Sequence, residues 1–574
     1  MVVLSWYRAD PRKTASVLWP GCPAHAGCFV ILWADIGSVR WCVPCPPTVA
    51  AVSPGVVQLK NRRIAAQLVA GIFLTALTLT LTACKVLYKV PENNFAGRPI
   101  PPSQMLQRVL ATFTNGGTTG GAQILDGLRD LRGNVQNTKL SFPISGFSAP
   151  QPSAILNFPE QTRGYVLSES AGTLVGINYS TESSAGAAAT FTPNPASVGA
   201  AYDGSLFAAA SSLNSQVYVS AGGATYALNL PNVYKVAVNQ GVTVILAMVR
   251  NSNTLYRVIR LPQSNNPVVP PGAVDCEPQL LPVYCVVPVA GSYDRPTSAS
   301  FSLDGNSVYV LNCGPECGGA KSGMTVLQTG ALLIDNIPTT NPLSPTAPSP
   351  LANIGVPNPV PIPGGATVAL SNGTTLYVAG QSLYSLGAGG VLGSTPRADG
   401  LFTGYLSAIN LSNYSVSQPI SVSDGTHTKL LFADDNTLWV GSQQCASGVR
   451  AATGQNYNCL TMVTLGKGPV GTAQVIPNVT PGGSTIVPYP NTNQNLYYYG
   501  DLTGICWVQA FHKVFTAYGG QIHVFYTGGT ITDVTDPAVG TTPPAGSELD
   551  NKNLTIQGTV LDVAYMDAVT NAAN

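Results

Sequence analysis

The chain has 574 residues, 45% of them apolar and only 9% charged, with 59 Gly and 46 Pro; that much apolar content excludes a chain disordered throughout. Charge this far below the roughly 25% of an average soluble protein leaves Ser, Thr, Asn and Gln to build the surface, which suits a turn-rich, all-β, exported chain. Seven Lys/Arg and two Asp/Glu precede Cys84, whereas 20 Lys/Arg meet 24 Asp/Glu from there on, with no basic run, so nucleic acid is not an expected partner.

Residues 1–55 contain "WCVPC" at Trp41–Cys45, and Cys22, Cys28, Cys42 and Cys45 suggest four metal ligands. A redox motif needs a strand before it and a helix from its second cysteine, but Pro46 and Pro47 follow Cys45. The spacings also pair no zinc knuckle with its like. An over-extended start, with translation beginning near Val56, Val57 or Leu59, is the expected account of 1–55.

Residues 56–83 read as an export signal. Lys60, Arg62 and Arg63 form a basic head, Ile64–Leu81 is apolar, and "LTAC" closes it at Cys84. These last four residues resemble the lipobox of bacterial lipoproteins, an aliphatic residue and two small ones before the cysteine that receives the lipid. The resemblance implies a mature chain that starts at lipidated Cys84, is held in a bacterial membrane by its acyl chains, and faces the periplasm or exterior. Lys85 rather than Asp after the cysteine favours the outer membrane. An uncleaved apolar span is the alternative.

From 84 to 150 the expectation is a lipidated tether with short helices, because "MLQRVLATF" (Met105–Phe113) and "AQILDGLRDL" (Ala122–Leu131) place apolar residues at near-helical spacing. "GGTTGG" (Gly116–Gly121) lacks the following Lys-Ser/Thr of a phosphate loop and reads as a linker.

Over 151–570 a pattern recurs: an apolar run, a turn rich in Asp, Asn and Gly, then a strand centred on an aromatic-Val pair. "RPTSASFSLDGNSVYVLN" (Arg295–Asn312) is the clearest copy; "GGATVALSNGTTLYVAG" (Gly364–Gly380), "HTKLLFADDNTLWVGS" (His427–Ser442), "NSQVYVSAGG" (Asn214–Gly223) and "QNLYYYGD" (Gln494–Asp501) are looser. Asp304-Gly305 and Asn372-Gly373 predict two-residue type I′ hairpins, and "YLSAINLSNYSVSQPISV" (Tyr405–Val422) and "ATYALNLPNVYKVAV" (Ala224–Val238) each read as strand, turn, strand. Four short antiparallel strands per repeat predict the blades of a β-propeller, seven by length with six to eight compatible. The Pro-rich Ile337–Gly365 and the insert Gln263–Cys285 break the period and predict extended loops.

The Arg295–Asn312 copy resembles the YVTN repeat of bacterial β-propellers, in which a Pro-Thr start leads through an Asp-Gly turn into a Tyr-Val strand. The resemblance implies a fold shared with extracytoplasmic and surface-layer propellers and with relatives of lactonases and haem d1 domains. It implies no activity by itself.

Of the seven cysteines after Cys84, six form local pairs, Cys276 with Cys285, Cys313 with Cys317 and Cys445 with Cys459; export makes disulfides their expected state. Cys506 is left as a buried thiol. Three histidines, His427, His512 and His523, follow Cys84, and none stands at metal-ligand spacing from a cysteine. Asp424, Asp434 and Asp435 fall where blade turns favour Asp. Tyr309, Tyr377 and Trp439 read as core between blades. No catalytic residue, metal or cofactor is expected. The reading is a lipid-anchored, non-catalytic binding or assembly module with a protein or polysaccharide partner; the alternative is a propeller enzyme, a lactonase-like hydrolase or quinoprotein relative.

Overall fold

A computed structural model describes residues 31–35, 38–42, 57–58 and 99–569, except 129–141, 159–161, 240, 242, 264–266, 348, 350–353, 388–389, 446–457, 467–469, 477–498, 533–537, 550–555 and 557. The chain divides into two units, Met1–Lys89 and Val90–Asn574. In the first, strands Ile31–Asp35, Ser38–Cys42 and Val57–Gln58 pair antiparallel. Cys84 and the apolar run before it lie outside the described residues.

Among the described residues the second unit holds a ring of eight antiparallel sheets, one blade more than the seven expected, and a separate two-stranded sheet of Tyr384–Leu386 and Leu392–Pro396. Dividing residues 151–570 by the repeat length misses the eighth blade because it is assembled from both ends of the chain. Its innermost strand is Thr559–Tyr565, and Arg108–Asn115, Thr119–Asp126 and Phe142–Pro143 continue it outward. The innermost strands of the other blades are, in order, Pro152–Asn157, Ser197–Ala200, Val233–Val238, Pro296–Phe301, Val368–Ser371, Thr426–Ala433 and Leu502–Val508.

The helical tether expected over 84–150 is therefore corrected where the structure describes it: Arg108–Asn115 and Thr119–Asp126 are strands joined by a tight turn. Both are buried along most of their length, so their apolar residues do not alternate, and a short unbroken apolar run cannot be told from a helix by period. Val109, Thr112, Phe113 and Thr114 supply the β-branched and aromatic content that favours a strand. Gly116 and Gly117, expected as linker, sit at φ 63° and 79° in the turn, where a β-carbon would be strained.

Blades pack through the large side chains of their second strands. Tyr309, Tyr377 and Trp439 are all buried, each in a cluster shared with the next blade. The two Asx-Gly turns are not the expected type I′ form: Gly305 and Gly373 have φ 72° and 95°, but neither Asp304 nor Asn372 has positive φ. Instead Asp304 Oδ1 accepts the Asn306 N–H at 3.1 Å, and Asn372 Oδ1 accepts the Thr375 N–H at 2.8 Å. The side chain closes the turn that a second left-handed residue would otherwise close.

Both inserts contribute strands as well as loop. Asp275–Glu277 adds a fifth strand to blade three, and Val360–Pro361 is the fourth strand of blade four. A proline fits there because an edge strand leaves its nitrogen without a ladder partner.

Candidate functional site

Three places bring chemically distinctive side chains together: the surface of the two inserts, the central channel, and a carboxylate-histidine cluster between blades six and seven.

The inserts abut. A β-carbon on Gly272 would meet the Asn341 side chain, at 2.6 Å from Oδ1, and Pro342. Ile337 packs with Ala273 and Cys276 onto a small core of Ile259, Leu261, Val283 and Cys285. Arg257, buried, donates to the carbonyls of Leu333 and Asn336 at 3.0 and 2.7 Å, fixing the start of the Pro-rich insert. Its far end is fixed by Asn358, which donates to Val326 O and accepts from Val326 N–H as a strand residue would. On this anchored base large apolar side chains face solvent: Val268 is 84% exposed, Val269 58%, Leu281 51% and Leu343 57%.

The channel is defined by a repeated irregularity. In six of the eight blades the innermost strand slips register once against its neighbour, between Pro152 and Ala154, Val233 and Lys235, Pro296 and Ser298, His427 and Lys429, Leu502 and Gly504, and Val560 and Asp562. Such a bulge re-aims the next side chain, so Ala154, Lys235, Ser298, Lys429, Gly504 and Asp562 occupy equivalent positions around the ring. Ser298 donates to Thr367 O of the next blade at 2.9 Å, and Asp562 Oδ2 accepts the Ile155 N–H of the next blade at 2.9 Å. Lys429 reaches past blade seven, where the equivalent residue is Gly504, to donate to Asp562 Oδ1 at 3.3 Å. Beside this pair lies a cavity of about 270 Å³ walled by Ile155, Ala369, Thr428, Ile505 and Ala564. Lys235 is half-buried, and burial pushes its ammonium below the ordinary lysine range, with repulsion from Lys429 adding to the effect.

In the third place Asp434, Asp435 and His512 bring ligand atoms within 4.8 Å of one another, a spacing that could hold a metal ion. His512 Nδ1 lies 2.6 Å from Asp435 Oδ2, the His512 N–H donates to Asp434 Oδ2 at 2.7 Å, and Thr527 donates to both carboxylates. Burial raises the Asp434 carboxyl above its usual range. The cluster joins the blade-six hairpin to the first turn of blade seven. Sequence reading assigned these aspartates to turns, which is where they sit, but not the histidine that meets them from 77 positions away. His523 does not join it: its Nδ1 lies 2.7 Å from Glu548 Oε1 and its ring stacks on Tyr499. His427 is buried against the Ser423 carbonyl at 2.9 Å.

The paired cysteines are bonded: Cys276–Cys285 directly across two strands of blade three, Cys313–Cys317 around a 3-10 turn, and Cys445–Cys459 in the core shared by blades six and seven. Cys506 is a buried free thiol whose pKa burial drives well up. Cys84 lies outside the described residues.

The described unit is thus an eight-bladed, all-β propeller closed by its own C-terminal strand. No family model matches the chain, and no curated protein does. Solved structures similar to it include the periplasmic gluconolactonase PpgL of Pseudomonas aeruginosa (13% identity, 80% of this chain and 98% of that one, TM-score 0.39). Hydrazine synthase of Kuenenia stuttgartiensis matches at 11% identity over 68% of this chain and 99% of that one, TM-score 0.39. The C-terminal WD40 domain of Sif2 matches at 8% identity over 72% and 91%, TM-score 0.40.

Proposed function

We propose that this protein is a lipid-anchored propeller of the bacterial cell envelope that binds a protein or polysaccharide partner through its loops and performs no chemistry. The observation that carries the reading is the surface of the two abutting inserts. Val268, Val269 and Leu343 are held out to solvent on a base fixed by Arg257, Asn358 and the Cys276–Cys285 bond. A rigid surface of exposed apolar groups marks an interaction site more often than a solvated loop does. Membrane attachment through lipidated Cys84 follows from the lipobox resemblance and would present this surface at the envelope.

The alternative, a lactonase-like hydrolase or quinoprotein relative, would need several unengaged acids or bases converging on one mouth of the channel. Among the described residues, the ionisable groups lining the cavity are Lys429 and Asp562, which pair with each other, Asp562 is also engaged by the Ile155 N–H, and Lys235 at the same level is a lone base, not a converging set. That arrangement favours the binding reading.

The test compares capture of envelope components by the intact lipidated protein and by a Val268→Ser/Val269→Ser/Leu343→Ser variant. These residues are exposed, so the variant should fold with unchanged thermal stability and lose its specific partner. Equal capture by both proteins, or turnover of a lactone by purified wild-type protein, would overturn the proposal.

A further inference from the structure

The register slip on the innermost strands places two lysines and one aspartate at the same level of the channel, Lys235 from blade three, Lys429 from blade six and Asp562 from blade eight. Their charges do not balance. Asp562 Oδ1 accepts from Lys429 and from the Val563 N–H at 3.0 Å, and Oδ2 accepts from the Ile155 N–H. No carboxylate pairs with Lys235 among the described residues, and the charged group that acts on it is Lys429, which repels it. This local excess of positive charge stands inside a chain whose residues from Cys84 onward carry more acid than base, so it is not an effect of overall composition. Lys235 is half-buried, and stripping part of the water from an ammonium group costs free energy unless an opposite charge or strong acceptors compensate. The neighbouring cavity, about 270 Å³, is near the lower limit for small-ligand sites, and Thr428 adds a hydroxyl to its wall beside Lys429.

We propose that the channel at this level binds a small oxyanion, a carboxylate or a phosphate, held between the ammonium groups of Lys235 and Lys429. Lys235 supplies the unpaired charge, and Lys429, oriented by Asp562, supplies the second donor. The anion completes a belt that two lysines and one carboxylate leave uneven. Gly504 belongs to the arrangement because a β-carbon there would collide with Asp562 Oδ1, the oxygen to which Lys429 donates.

The test is calorimetric titration of the purified full-length protein with sodium succinate, sodium phosphate or sodium chloride at matched ionic strength. Saturable 1:1 binding of succinate or phosphate, not reproduced by chloride, is expected, and which of the two binds separates a carboxylate ligand from a phosphate one. Lys235→Met should weaken it at least tenfold, Lys235→Arg should retain it, and Asp562→Asn, which removes the competing carboxylate, should tighten it. Should Lys235→Met fail to fold, the Arg and Asn variants still decide the matter. Binding of neither oxyanion by wild type, or equal heats from chloride, overturns the proposal, as does undiminished affinity in Lys235→Met or weaker affinity in Asp562→Asn.

Discussion

Arg108 and Asp567, 459 positions apart in the sequence, form a buried two-pronged ion pair where the first and last strands of the propeller unit meet. Arg108 NH2 lies 2.7 Å from Asp567 Oδ1, its Nε donates to Oδ2 at 3.1 Å, and its backbone N–H donates to the same oxygen at 2.8 Å. Arg108 NH1 also meets Glu182 Oε1 at 3.1 Å, and Glu182, fully buried, accepts the Ser103 N–H at 2.7 Å. One guanidinium therefore ties the first outer strand of blade eight to the residues after its innermost strand and to a turn of blade one. Burial alone would lower the Arg108 pKa, but Asp567 and Glu182 outweigh it, and the group is held above its ordinary value.

Arg108→Met should accordingly destabilise the ring by about 3–5 kcal/mol, since it leaves two buried carboxylates without their cation. The urea midpoint of the purified variant measures this. A loss below about 1 kcal/mol would mean that strand pairing closes the ring without the clamp.

Blade architecture was legible in the sequence wherever a short strand of β-branched and aromatic residues follows a turn rich in Asp, Asn or Gly. The Tyr309, Tyr377 and Trp439 strands announced themselves through their aromatic-Val pairs and the turns before them, Asp304-Gly305, Asn372-Gly373 and Asp434-Asp435-Asn436. What was hidden lies in pairings across long separations. Arg108–Asn115 pairs with a strand more than 430 residues away, Thr119–Asp126 pairs with Arg108–Asn115 in turn, and their local spacing carries no mark of it. "ATYALNLPNVYKVAV" did read as two strands, yet Ala224–Asn229 is the outer edge of blade two and Val233–Val238 the innermost strand of blade three. Turn chemistry at the Pro-Asn cannot distinguish a hairpin from a step between blades. The channel belt was invisible for a different reason: a bulge shifts side-chain parity by one, so alternation along a strand does not tell which residue beyond the bulge is re-aimed.

The three disulfides should differ in their contribution. Cys445–Cys459 closes a separation of 14 residues and Cys313–Cys317 one of 4. In the chain-entropy account the longer loop stabilises by about 3 kcal/mol, roughly 1 kcal/mol more than the shorter. Serine at both Cys445 and Cys459 also places polar atoms in the core around Trp439. Thermal unfolding of the two double-serine variants should show the Cys445/Cys459 pair losing more; the reverse order would contradict the argument.

Gly504→Ala tests whether the link across blade seven depends on an absent side chain. A β-carbon there would collide with Asp562 Oδ1 and approach Val563 N to 2.6 Å, and both belong to the strand that closes the ring. The backbone can move little without breaking the pairing of Leu502–Val508 with Lys513–Tyr518. A loss of about 1–3 kcal/mol is expected, the range for overpacking a tight site. An unchanged urea midpoint would show that the two innermost strands separate freely at this level.

Lys235→Met should stabilise the anion-free protein at neutral pH and lose that advantage in alkali. Burial, then Lys429, lowers the folded-state pKa of Lys235, whereas the unfolded chain has the ordinary value of about 10.4. Between those two values the unfolded state binds more protons than the folded one, so the wild-type protein gains stability as pH rises through that window. The charge penalty is fully present below the folded pKa and absent above the unfolded one. Methionine keeps an unbranched stem of similar reach and carries no charge, so the difference in unfolding free energy between variant and wild type should be about 1 kcal/mol or more at pH 7 and shrink toward pH 10. Urea titrations at the two pH values, in buffers without succinate or phosphate, give this difference directly. A variant less stable than wild type at pH 7 under those conditions would show that Lys235 is compensated within the chain itself. Adding the oxyanion should reverse the order at pH 7, because only the wild-type channel then gains the binding free energy of its ligand.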